Sequence, residues 1–270
     1  MNSADFKVLA DIFKERSGLV LAENKTYLLE SRLIPVAKKH GIDGLEALVA
    51  EIKKASTEKL LFDLTEAMTT NESFFFRDNT PFDIFRDHTL PALLESRSTT
   101  KRFRIWSAAC STGQEAYSLA MLLKEHEAQL AGWRIEIVGT DLSPTVLEKA
   151  KSGVYSQFEV QRGLPVQYLV KYFSQANELW QIDAGLRAMV TFKEGNLLEN
   201  FSSLGKFDVV FCRNVLIYFE RETKSAVLEK VSALMPNDGT LFLGGAETVL
   251  GVTDDFKPVQ GLRGVYQIAR

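Results

Sequence analysis

The sequence predicts an α/β protein: a mostly parallel seven-stranded sheet closed by an antiparallel hairpin and preceded by a small all-α module. Three observations carry that expectation. Residues 104–121 read as strand, small-residue loop and helix. Residues 103–106 are β-branched and aromatic, Ala108, Ala109, Cys110, Ser111 and Gly113 have almost no bulk, and Ala116, Leu119, Ala120 and Leu123 recur at helical spacing. Further strand-like runs follow at 134–139, 189–193, 207–212 and 240–243, with helical patterns among them. The last two runs, 256–259 and 265–268, are too close for a crossover helix, so they must pair antiparallel.

Taken in order, residues 1–70 show no strand pattern. Phe6, Leu9, Ala10 and Phe13 form an apolar stripe ended by Gly18. A second helix is expected from Ala22 to Gly41, kinked or split at Pro35. Helical segments over 44–54 and 57–68 complete the module. Lys25, Arg32 and Lys39, seven apart, project from nearly one side, either as a solvated face or as a docking surface.

Residues 71–100 read as a linker whose first part covers the site, because three consecutive phenylalanines, Phe74, Phe75 and Phe76, stand between polar residues. Asn71, Ser73 and Arg77 are spaced to point polar groups one way. Residues 101–270 form the sheet domain. Its first loop is neither Gly-x-Gly-x-x-Gly nor a Lys-Ser/Thr phosphate loop, which points away from pyrophosphate cofactors. Asp141, at the tip of the second strand, suits hydrogen bonds from both ribose hydroxyls; Ser143 and Pro144 then cap and open the next helix. Residues 154–188 fit no βαβ unit and are expected as an inserted subdomain.

The 270 residues carry a formal net charge of −3, which disfavours a nucleic-acid partner. Two cysteines fit a reducing compartment, and three histidines without a Cys-x-x-Cys pair make a metal site improbable. No signal peptide and no run of membrane-spanning length is present, so a cytoplasmic protein without membrane insertion is expected.

A mostly parallel sheet finished by an antiparallel hairpin matches the S-adenosylmethionine-dependent methyltransferase architecture, not the dinucleotide one. Four stretches, Asn71–Asp78, Ser107–Glu115, Gly139–Ser143 and Phe211–Phe219, together resemble the chemotaxis protein methyltransferases of the CheR family. The resemblance covers nearly the whole chain. It implies a methyl transfer from S-adenosylmethionine to glutamate side chains of bacterial chemoreceptors, with the receptors' cytoplasmic methylation helices as partner and the enzyme as a monomer.

The resemblance also implies site residues. Asn71, Ser73 and Arg77 would line the methionine end of the cofactor, Glu115 would contact its amino group, and Asp141 would hold the ribose. Asn196, Leu197, Arg213 and Asn214 would surround the adenine and the pocket wall. Arg77, Arg213 and Tyr218 would lie near the transferred methyl. Ser73 stands where threonine is common, and Gly244-Gly245-Ala246-Glu247 departs from the family's His-Ser-Glu, which leaves Glu247 outside the expected site. Some family members grip a receptor's C-terminal pentapeptide with an inserted β-subdomain bearing a Gly-x-Gly-x-x-Gly loop. The corresponding residues 172–179 contain no glycine, so no such tether is expected. The rival readings are a methyltransferase of another carboxylic acid, an S-adenosylmethionine sensor without activity, and a nicotinamide oxidoreductase.

Overall fold

Apolar spacing and caps account for the first elements. The computed structural model describes residues 2–55 and 57–269, which fall into two units: residues up to Thr70 with Tyr218–Thr223, and Asn71–Ile217 with the chain from Lys224 onward. In the helical unit, α1 (Ser3–Ser17) starts at Asn2, whose side chain accepts from the Asp5 N–H, and ends at Gly18 with φ +76°. A short turn over Glu23–Lys25 leads into α2 (Thr26–Lys39), then α3 (Gly44–Ala55) and α4 (Glu58–Met68). Leu9, Phe13, Leu29, Leu33, Ala37, Leu48 and Leu64 meet in a core with no exposed surface.

One expectation needs correction here. Pro35 does not split α2. It removes one donor, while Leu29, Leu33 and Ala37 on either side of it stay in the core. On the basic stripe Lys25 and Lys39 are exposed, while Arg32 is engaged. Arg32 donates to the carbonyls of Met68 (2.8 Å) and Thr69 (3.1 Å), satisfying the end of α4, and Lys39 pairs with Asp63 at 3.1 Å.

Within the expected linker and covering segment, the chain from Thr80 is helical: α5 (Thr80–Ile84) and α6 (Leu90–Ser96) are joined by a wider helical turn over Phe85–Thr89. Phe82, Phe85, Leu90 and Leu93 from this run are buried in the main core. Next come β1 (Arg102–Ala108), α7 (Gln114–Glu125), β2 (Arg134–Asp141) and α8 (Pro144–Ser152). The insertion contains β3 (Val154–Ser156), α9 (Gln157–Gln161), α10 (Val166–Tyr172), β4 (Phe173–Ala176), β5 (Leu179–Ile182) and α11 (Ala184–Ala188). β6 (Val190–Glu194) and β7 (Val209–Cys212) precede α12 (Arg221–Ala233), and β8 (Thr240–Leu243), β9 (Phe256–Pro258) and β10 (Val265–Ile268) finish the chain.

The seven-stranded sheet runs β6-β2-β1-β7-β8-β10-β9. The first five are parallel; β10 is antiparallel to β9, as expected, and also to β8. β3-β5-β4 form a separate antiparallel sheet. The chain proceeds from β1 outward to β2 and β6, then returns to β7 on the other side of β1, so the strand order reverses at the β1/β7 boundary. Ala108 is level with both Thr140 and Cys212, which brings the carboxyl ends of β1, β2 and β7 to one edge. That crevice is where open α/β sheets take ligands.

Candidate functional site

Three of the loop residues after β1 adopt the left-handed conformation: Ala109 (φ +55°), Ser111 (+50°) and Gly113 (+90°). A Cβ on Gly113 would also sit 2.9 Å from the Ala150 side chain, so this loop packs directly on α8. Side chains pay conformational energy for such φ values, and segments that persist in them cluster at functional sites. The Tyr155 hydroxyl, from the insertion, donates to the Thr112 carbonyl (2.8 Å) and helps hold the loop.

Asp141 is buried at the tip of β2. Its Oδ2 accepts from the Ser111 N–H (2.8 Å) and its Oδ1 from the Ser143 N–H (3.0 Å), which aims the carboxylate without cancelling its charge. Glu115, in the first turn of α7, accepts from the Ser107 hydroxyl (2.7 Å) and from Arg213 Nη1 (2.9 Å). Arg213 also donates through Nη2 to the Arg77 carbonyl and to Asp78, each at 2.8 Å. Its side chain is 1% exposed, and its Nε has no partner. Arg213, expected near the transferred methyl, is therefore a buried cation joining the start of α7 to the segment that covers it.

That segment, 71–79, is tied down along its length. Ser111 Oγ donates to the Asn71 carbonyl (2.8 Å), and Ser118 Oγ accepts from the Phe76 N–H (3.0 Å). Phe75 is fully buried, edge-on to Tyr155 and Phe173 at centroid distances of 5.0 and 5.6 Å. Arg77 is half-buried; its Nη1 donates to the Glu72 carbonyl (2.9 Å), and its guanidinium lies 5.4 Å from the Phe74 ring. Phe76, Asp78 and Asn79 take positive φ, as the covering chain bends back toward α5. Ser73 is half-buried in the same stretch.

Asn196 and Leu197 follow β6; the Asn196 side chain accepts from the Leu198 N–H (3.0 Å), and Leu197 is buried. Asn214, at φ +60°, follows β7. The structure thus gathers Asn71, Ser73, Arg77, Glu115, Asp141, Asn196, Leu197, Arg213 and Asn214 within the sheet unit. Tyr218 clusters with the helical unit, where its carbonyl accepts from the Val20 N–H (2.9 Å).

Glu247 organises this edge in a way the sequence did not reveal. Its carboxylate is 9% exposed and accepts from four backbone N–H groups: Gly244 (2.7 Å), Asn214 (2.8 Å), Val215 (2.9 Å) and Ile217 (3.3 Å). A Cβ on Gly244 would sit 2.7 Å from that carboxylate, which explains the glycine there. Burial pushes the Cys110 thiol well up, and neighbouring Asp141 and Glu115 add to it; burial and then Glu247 do the same to Cys212. Neither cysteine is a nucleophile at neutral pH.

The donor set fits an uncharged-ribose nucleoside attached to an amino acid. It offers acids for a diol and an ammonium, an arginine for a carboxylate, and no cradle of glycines and lysine for a pyrophosphate. Residues 71–265 match the CheR methyltransferase SAM-binding domain, and residues 4–69 match the CheR methyltransferase all-alpha domain. The chain belongs to the CheR methyltransferase family. S-adenosylmethionine is accordingly its cofactor, and the sheet unit is the domain that binds it.

Full-length relatives agree. The chain is 38% identical to chemotaxis protein methyltransferase Cher2 of Pseudomonas putida, across 98% of each chain. It is 39% identical to chemotaxis protein methyltransferase 1 of Pseudomonas aeruginosa, covering 99% of this chain and 98% of that one. It is 33% identical to the chemotaxis protein methyltransferase of Salmonella typhimurium, covering 100% of this chain and 92% of that one. The nicotinamide reading is thereby excluded. No helix among the described residues is long and apolar enough to cross a membrane.

Proposed function

We propose that this CheR-family methyltransferase esterifies glutamate side chains on the cytoplasmic methylation helices of chemoreceptors. One observation carries the choice of a carboxylate acceptor. The segments that build the site, 71–78, 107–115, 139–143, 195–197 and 212–218, contain no histidine or lysine. An amine or alcohol acceptor would have to lose a proton to some base. A glutamate, with an ordinary pKa near 4.3, is already an anion at neutral pH.

Bound S-adenosylmethionine supplies a methyl group made electrophilic by its sulfonium. The chain's own residues then bind, orient and exclude water. In this reading Asp141 accepts from the ribose hydroxyls, Glu115 meets the ammonium, Arg77 with Asn71 and Ser73 meets the methionine carboxylate end, and Asn196, Leu197 and Asn214 enclose the base. Arg213 acts through Glu115 and the covering segment, since its guanidinium is already engaged and buried. Arg77, half-exposed, remains the cation able to orient an incoming carboxylate, and Tyr218 is the third residue proposed to act on the transfer. Opposite charges neutralise as the methyl moves, so a water-poor pocket lined by Phe74, Val215 and neighbouring apolar groups lowers the barrier, and positioning supplies most of the rest.

The test is transfer of tritiated methyl to purified receptor cytoplasmic domains. Base-labile label on the receptor is expected. Label appearing only on small carboxylic acids would move the acceptor to another class, and cofactor binding without any transfer would make the protein a sensor.

A further inference from the structure

Beyond the ring contacts of Phe75 with Tyr155 and Phe173, the inserted subdomain meets the covering segment at Gly163. Gly163, at φ +83°, brings the chain so close that a Cβ there would lie 2.1 Å from the Phe75 carbonyl oxygen. Its neighbour Arg162 makes two contacts with the segment. It forms an ion pair with the Glu72 carboxylate, and its guanidinium lies 4.4 Å from the centroid of the Phe74 ring. The same two residues hold Arg77: the Glu72 carbonyl accepts from Arg77 Nη1 at 2.9 Å, and the Phe74 ring also carries the Arg77 guanidinium at 5.4 Å.

We propose that Arg162 is a positioning residue for the cofactor site, fixing the side chain of Arg77 through Glu72 and Phe74. The proposal rests on the reading that Arg77 lines the methionine end of the cofactor. Arg162 touches neither cofactor nor acceptor in this scheme; it removes freedom from the two groups between which Arg77 is held. Lysine would keep the ion pair with Glu72 while losing the flat guanidinium over the ring. The brace also explains the glycine at 163, because only close approach of the two segments brings Arg162 within reach.

The experiment measures binding of S-adenosylhomocysteine by calorimetry, together with steady-state methylation, for the full chain and for Arg162→Ala, Arg162→Lys, Glu72→Ala and the Arg162→Ala/Glu72→Ala pair. Arg162→Ala should weaken binding about five-fold and raise the Michaelis constant for S-adenosylmethionine in parallel. The melting temperature should stay near wild type, while turnover at saturating cofactor should fall modestly, because Arg77 also orients the incoming carboxylate. Arg162→Lys should recover part of the loss, and the double variant should lose less than the sum of the two single ones.

Asp141→Ala, which removes the proposed ribose contact, serves as the reference. If Asp141→Ala binds poorly while Arg162→Ala binds within two-fold of wild type, Arg162 is a surface residue and the proposal falls alone. If neither variant changes binding, the reading of the cofactor site falls and takes this proposal with it. A loss in Arg162→Ala that follows melting temperature and is not recovered by lysine also overturns it.

Discussion

The two edges of the main sheet are built differently. At the amino edge, side chains pair with side chains. Arg97 donates to Asp208 (2.9 Å) and to Asp238 (2.7 Å), and Arg104 donates to Glu136 (2.7 Å). Asp208 Oδ2 also accepts from the Arg104 N–H at 2.8 Å, closing the start of β1. At the carboxyl edge, Glu115 is held by side chains but Glu247 and Asp141 by main chain. Glu247 takes four N–H groups and Asp141 takes two, while Ala109, Ser111, Phe76, Asp78, Asn79 and Asn214 sit at positive φ. The amino edge holds strands together at modest cost. The carboxyl edge holds an unfavourable backbone in place, and buried acids are the means.

The largest expected effect tests that last statement directly. Glu247→Gln keeps size and shape but turns one acceptor into an NH2 group facing backbone donors. Removing a charged acceptor from buried N–H groups should cost about 3 kcal/mol of stability in urea unfolding. An unchanged midpoint would mean that the Arg213–Ile217 loop supports itself and that the edges differ less than proposed.

Asp141→Ala comes next. It should lower cofactor affinity by about 1.5–3 kcal/mol, through loss of charge-assisted contacts to the ribose. Because Asp141 also holds Ser111 and Ser143, some stability should be lost as well. Calorimetry showing full affinity would remove Asp141 from the ligand-facing group and leave it as a loop anchor.

Arg97→Ala sharpens the contrast from the amino edge. It should cost about 1 kcal/mol of stability and leave cofactor affinity unchanged. Its pH dependence follows from Asp238, whose carboxyl is held below its usual range chiefly by the hydrogen bond from Arg97. A carboxyl with a depressed folded-state pKa stabilises the fold above its unfolded value and loses that contribution as pH falls through the folded one. The gap between wild type and Arg97→Ala should therefore be full at neutral pH and close below about pH 4. A constant gap across that range would show that Arg97 acts by packing alone.

The amino acid sequence disclosed these edges unequally. Strand positions, the hairpin and the ends carrying Asp141 and Arg213 were readable, because β-branched runs and short gaps constrain them locally. Helix 80–96 was also written in the sequence, as Phe82, Phe85, Thr89 and Leu93 at helical spacing, but residues 71–100 were read together as one linker and covering segment. Glu247 was not readable: it binds Asn214, 33 residues away, through main-chain N–H groups, and no residue pattern marks a backbone donor. Arg213 was placed near the transferred methyl by the family resemblance, and Arg32 on a stripe open to two readings. Neither resemblance nor spacing marks the protein acceptors they meet: Glu115, Asp78 and the Arg77 carbonyl for Arg213, the end of α4 for Arg32.

The smallest expected effect concerns the insertion. β4 and β5 are joined by a two-residue turn at Asn177–Glu178, and Asn177 takes φ +58°. Asparagine tolerates that conformation, so the turn carries in one residue the left-handed backbone that a glycine-rich loop would spread over several. The glycine-free stretch also crowds the edge: every residue from 172 to 179 has a Cβ, and Ser174, Gln175 and Ala176 lie on an exposed strand. A peptide adding to such an edge must find room for alternate side chains, whereas glycines would let its backbone approach freely. Deleting a receptor's C-terminal tail should therefore leave methylation rates unchanged, and calorimetry with the free tail peptide should show no heat of binding. Low-micromolar affinity, or a rate that falls with the tail, would show that the exposed edge of β4 serves as a docking strand despite its side chains.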